Sequence, residues 1–134
     1  MSNLGEEGMQ NCKITIISRT DGKETKTLRD GKIEISDGKI LLAYAEENAS
    51  TTMLLEGNGA KIRREGDYTL YLDLKNGETL EGTLGIGGSS GSIPVKTRHV
   101  AYTLKQHSLL LTLQYELLFG EGTQTMSLRI RANF

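Results

Sequence analysis

Apolar and polar residues alternate one for one along most of this chain, and turn dipeptides cut the alternation at short intervals. Ile14 and Ile16 flank Thr15, Ile33 and Ile35 flank Glu34, and Leu70, Leu72 and Leu74 alternate with Tyr71 and Asp73. Further on, Leu109, Leu111, Leu113, Tyr115, Leu117 and Phe119 share one face of a segment, as do Met126, Leu128, Ile130 and Ala132 of the next. A strand sends successive side chains to opposite faces, whereas a helix spaces its apolar residues by three and four. The pattern therefore specifies half-buried strands. The interruptions are Asp21-Gly22, Asp30-Gly31, Asp37-Gly38, Asn58-Gly59 and Asn76-Gly77, pairs that accept the positive φ of tight hairpin turns. Gly31 alone lies inside a long strand-like run, from Glu24 to Ser36, and reads as a bulge or corner rather than a hairpin. No segment reads as a helix, although "LLAYAEENAS" is rich in helix formers. Strands with such short connections form an antiparallel meander, and closing it removes the exposed edges. The expected fold is all-β: an up-and-down barrel of about eight to ten strands, with a two-sheet sandwich as the second solution.

A chain of 134 residues fits one domain. The polar, acidic "MSNLGEEGMQN" reads as a flexible tail over residues 1–10, leaving 11–134 as the barrel, and resembles no secretory signal. The absence of a long apolar run argues against a membrane span. The formal net charge of −1, with Lys and Arg scattered along the chain, argues against a nucleic-acid groove, which needs a dense basic footprint. Cys12 is the single cysteine, so neither an internal disulfide nor a thiolate metal cluster can form. Lying beside Ile14 and Ile16, it reads as a small buried hydrophobe. These features together place the protein in the cytoplasm.

The stretch "LGIGGSSGSIPVKT", residues 84–97, invites three chemical readings. A phosphate-binding P-loop needs a lysine that is not there, and a dinucleotide fingerprint needs a third glycine where Ser90 stands. Gly87-Gly88-Ser89-Ser90-Gly91 matches the nucleophile elbow in letters only. An elbow turns from strand into helix, but "SIPVKTRHVAYTL" alternates like a strand, and no acid lies between Ser89 and either histidine. What remains is a flexible connection, with the capacity to act as a lid over a barrel mouth. His99 and His107 lack a third metal ligand nearby in sequence, and the neighbours Glu46 and Glu47 point to opposite faces of a strand. No catalytic constellation, cofactor motif or metal site emerges.

Parity singles out a few polar residues. Arg64 shares the face of Ile62, Glu46 that of Ile40, Leu42 and Tyr44, and Thr97 and His99 that of Ile93 and Val95. If the strands run that far, these side chains point inward, and Glu46 and Arg64 must pair or sit at a wet mouth, because an unpaired buried charge is costly. If the strands stop short, all four lie in solvent.

The order of short motifs resembles the YwiB-like family, small bacterial proteins of uncharacterised function. "YAEE" (Tyr44 to Glu47) closes an early strand, Ser50-Thr51-Thr52 opens the next, and "RREG" (Arg63 to Gly66), "GSIPVKT" (Gly91 to Thr97) and "LTLQYELLFG" follow. The resemblance runs from about Asn11 nearly to the end, and it implies a closed or nearly closed barrel similar to the calycins. Tyr44, Glu46, Arg64, Gly66, Gly91 and Thr97 fall where the family keeps the same residue type, but no catalytic residue is implied. The chain has no Trp, so the lipocalin-type Gly-x-Trp is missing, a departure from a lipocalin transport role.

Two functions follow as expectations. The first is a non-enzymatic binding module that holds a small hydrophobic or amphipathic molecule in the barrel, with Tyr44, Glu46, Arg64, Thr97 and His99 as ligand-binding residues. The second is an interaction or regulatory domain with a solid barrel core, recognised through its outer surface or a residual strand edge.

Overall fold

A computed structural model describes residues 9–134. Ten antiparallel strands follow one another: β1 (Met9–Thr20), β2 (Lys23–Ser36), β3 (Lys39–Glu46), β4 (Ala49–Glu56), β5 (Gly59–Gly66), β6 (Tyr68–Lys75), β7 (Thr79–Ile86), β8 (Ser89–Leu104), β9 (Ser108–Phe119) and β10 (Gly122–Asn133). Each pairs with its neighbours in sequence, and β1 pairs with β10, so the meander closes into a barrel rather than splitting into a sandwich. Of the expected tail, residues 1–8 lie outside the described residues, whereas Met9 and Gln10 belong to β1, opposite Glu34 and Ile33. No helix among the described residues is long and apolar enough to cross a membrane.

The turn chemistry explains the connections. Asp21, Gly22, Asp37 and Gly38 all have positive φ, as two-residue type I′ hairpins require. The Gly/Ser stretch is corrected in the same terms. Gly87 and Gly88, both at positive φ, make a two-residue turn, and Ser89 to Ser92 already belong to β8, paired with Ile86 to Thr83. The stretch is a hairpin with no room for a lid. Gly31, inside β2, answers a different need: a Cβ there would collide with the Ala43 carbonyl oxygen and the Ile14 side chain.

The barrel is solid at one end. There Ile33, Leu42, Leu55, Leu74, Val95, Leu109, Leu113 and Ala132 are completely buried, with Ile40, Met53, Leu111 and Ile130 packed among them. The β6–β7 ladder runs only from Tyr68 to Tyr71. Beyond it Asn76, read from the sequence as a mere turn residue, bonds across to β8. Its amide nitrogen donates to the Val100 carbonyl (2.9 Å), and its oxygen accepts from the Val100 N–H (2.7 Å). One side chain thus copies a strand pair where no strand is present.

The other end is open, because two ladders stop short. The β2–β3 ladder ends at Gly31 and Tyr44, although β2 continues back to Lys23 beside β1. The β8–β9 ladder ends at Val95 and Leu117, although β9 continues to Phe119 beside β10. The rim therefore divides into two lips, one of β9, β10, β1 and β2, the other of β3 to β8, with a mouth between them.

Candidate functional site

Inward-facing residues change character towards this mouth. On the first lip Ser18, Thr20, Thr27, Arg29, Met126 and Leu128 face inward yet remain half-exposed, as do Leu70 and Leu84 on the second. At the β8–β9 split a cleft of about 610 Å³ opens between Leu84, Ile86, Gly91, Ile93 and Phe119. Gly91 pairs with Leu84 in the ladder, and a Cβ placed on it would meet open space. Apolar side chains dominate this cleft, which Ser89, Ser90 and Ser92 also line.

The β2–β3 split, on the far side of the rim, is polar. Tyr44 is buried opposite Thr51. Burial pushes its phenol above the ordinary value and the nearby Glu46 carboxylate adds to this, while the Thr51 side chain and the Arg29 and Arg64 charges oppose it. Tyr115 lies deeper, its phenol pushed up strongly by burial and further by Tyr44 and Tyr68. Arg64, its side chain only 15% exposed, is held at three points. Nη1 donates to the Tyr68 carbonyl (2.7 Å), Nη2 donates to the Asp67 carboxylate (2.8 Å), and the guanidinium lies 3.7 Å from the Tyr68 ring centre. Burial works against the Arg64 charge, but the Asp67 carboxylate, together with Tyr68 and Glu46, outweighs it and holds the guanidinium above its ordinary pKa. The same hydrogen bond holds Asp67 below the usual carboxylate range.

Of the five residues singled out by parity and resemblance, the structure brings Tyr44, Glu46 and Arg64 to the mouth. The expected Glu46–Arg64 pair is corrected. Glu46 stands on β3 and Arg64 on β5, with β4 between them, a separation of roughly 9–10 Å across two strand spacings. Arg64 takes Asp67, three residues along its own chain, instead. Thr97 faces inward as expected, 1% exposed and opposite Tyr115, and its hydroxyl has no hydrogen-bond partner. His99 does not. The β8–β9 register shifts between Thr97 and His99, so Arg98 is an extra residue that reverses the parity. Val100 turns inward and His99 lies exposed on the outer face.

Arg29 is the residue that sequence reasoning missed. It pairs with Ile14, which is 1% exposed, and so faces inward at the top of the β2–β3 split. Its Nη1 donates to the Leu28 carbonyl (3.1 Å), while its Nε is buried without a partner. Alternation back from Ile33 reaches it, but the intervening Asp30-Gly31 pair reads as a bend that hides the parity.

Two further features lie apart from the mouth. Cys12 is 4% exposed, and burial, with a smaller contribution from Asp30, pushes its thiol above the ordinary value. On the outer face of β3 to β7 a groove of about 530 Å³ runs past Leu41, Leu54, Lys61 and Tyr71, with the Arg63 guanidinium 5.1 Å from the Tyr71 ring centre.

A closed ten-stranded barrel, solid at one end and open at the other, is the class of molecule these features define. A family model described as "Domain of unknown function (DUF1934)" matches residues 11–130, and the chain belongs to that family. Its fold is similar to that in the crystal structure of ywiB protein from Bacillus subtilis, with a TM-score of 0.82, 98% of each chain covered and 13% sequence identity. No curated protein matches the sequence.

Proposed function

We propose that this protein is a non-enzymatic binding module that holds a small, partly apolar molecule at the open mouth of its barrel. The observation that carries this reading is the gradient across the mouth, from the apolar cleft around Leu84, Gly91 and Ile93 to the polar group of Arg29, Tyr44, Glu46 and Arg64. The solid core beneath argues for a ligand held at the rim, with one end against each side, rather than one enclosed deep in the barrel. Uptake through one open end is the calycin comparison in its most limited form. A single, buried, unpaired cysteine suits the reducing cytoplasm, where we place the protein.

Gly91 offers the direct test, because its inward face is empty. Gly91→Phe should fill the cleft, abolishing saturable binding of the neutral fluorophore N-phenyl-1-naphthylamine while keeping the urea midpoint of the parent. If the variant binds the fluorophore as the parent does, the mouth is not the site. A second reading, a protein-interaction domain, rests on the outer groove past Leu41, Leu54 and Tyr71. Fluorophore binding lost on Leu54→Glu and kept on Gly91→Phe would favour it.

A further inference from the structure

We propose that the mouth selects a singly charged carboxylate, and that Arg29 is the residue that receives it. This inference rests on the mouth being the binding site and specifies the chemistry of the ligand's polar end. Arg29 stands where β2 parts from β3, facing inward beside Ile14 and within electrostatic range of Tyr44. Its situation differs from that of Arg64, the other guanidinium of the mouth. Arg64 is already engaged with a carboxylate, a carbonyl and a ring. Arg29 has no carboxylate within ion-pair distance among the described residues, and its Nε, out of reach of water, has no acceptor. Its Nη1 spends one hydrogen on the Leu28 carbonyl and its Nη2 makes no bond among the described residues, so the Nη1–Nη2 end of the planar guanidinium is left for a planar two-oxygen acceptor, which it can grip at two points.

Glu46 narrows the class. It lies half-buried on the same rim, close enough to influence Tyr44, and is in no ion pair among the described residues. Its charge is tolerable opposite one negative charge and increasingly unfavourable opposite two, so it disfavours a phosphate monoester against a carboxylate. Opposite Arg29, across the mouth, Leu84, Ile93 and the Gly91 space offer an apolar berth for a short hydrocarbon tail.

The experiment displaces N-phenyl-1-naphthylamine with octanoate, 1-octanol and octyl phosphate, three ligands that share one tail. In the parent, octanoate should displace the fluorophore at least about tenfold more effectively than octanol, the discrimination expected of a charge-assisted hydrogen bond. Octyl phosphate should fall below octanoate. Arg29→Met should erase the octanoate advantage over octanol, and Glu46→Gln should raise octyl phosphate towards octanoate. Equal displacement by octanoate and octanol in the parent overturns the carboxylate assignment while leaving the mouth intact as a site. Saturable binding of the fluorophore to the parent, lost on Gly91→Phe, distinguishes that case from failure of the mouth itself. Octyl phosphate ahead of octanoate overturns the choice of a single charge. Because the parent's own discrimination is measured first, the inference stands or falls even if Arg29→Met does not fold.

Discussion

Tyr44 and Tyr115 place two phenols in the barrel interior, and their burial links stability to alkaline pH. Both phenols have a folded-state pKa above the ordinary value of about 10. Below that value they are neutral in both the folded and the unfolded chain, and their contribution is fully present. Above it the unfolded chain ionises first and is favoured, so stability is lost as the pH rises. The urea midpoint of the parent should fall steeply between about pH 9.5 and 11.5, and less steeply in Tyr115→Phe. Parallel slopes for the two proteins would mean that the Tyr115 phenol ionises as freely when folded as when unfolded. The other residues of the mouth show how far parity can be trusted. Tyr44, Arg64 and Thr97 lie where alternation puts them, because each continues a strand without interruption. His99 lies on the opposite face because a single bulged residue, Arg98, precedes it, and nothing in the letters "KTRHV" marks a bulge.

The strands themselves were nearly all legible, since period two survives wherever one face is buried and Asp21-Gly22 and Asp37-Gly38 fix their hairpins. Tertiary contacts were not. Gly87-Gly88 reads as a loose loop in a run of small residues, and becomes a two-residue turn only because β7 and β8 pair to their tips. Asn76 also reads as turn material, yet its amide joins the turn to β8 over a separation of 24 residues. Removing that amide leaves a partly buried N–H and carbonyl of Val100 without partners. Asn76→Ala should therefore lower unfolding free energy in urea by about 1–3 kcal/mol. Asn76→Asp, which keeps the acceptor and loses the donor, should fall between the two. A cost below about half a kcal/mol for the alanine variant would show that water replaces the amide without loss. The split rim also escaped the sequence, because it depends on which ladders stop first, and strand length alone does not say that.

At the scale of the molecule, one end of the barrel is packed for stability and the other is left incomplete. The fully buried aliphatic residues gather at the first end, and the half-exposed inward faces, the two broken ladders and the polar group gather at the second. Such a division suits the binding proposed above, because a rigid solid floor holds the rim residues in place. The outer groove of β3 to β7 is the competing surface, on the far side of the sheet from the mouth. Backbone amide shifts in the nuclear magnetic resonance spectrum, followed while octanoate is added, distinguish the two directly. Shifts should concentrate at Arg29, Tyr44, Arg64, Leu84, Gly91 and Ile93, with Leu54, Lys61 and Tyr71 unmoved. Shifts centred on Leu54, Lys61 and Tyr71, or none anywhere at saturating octanoate, would contradict a binding mouth.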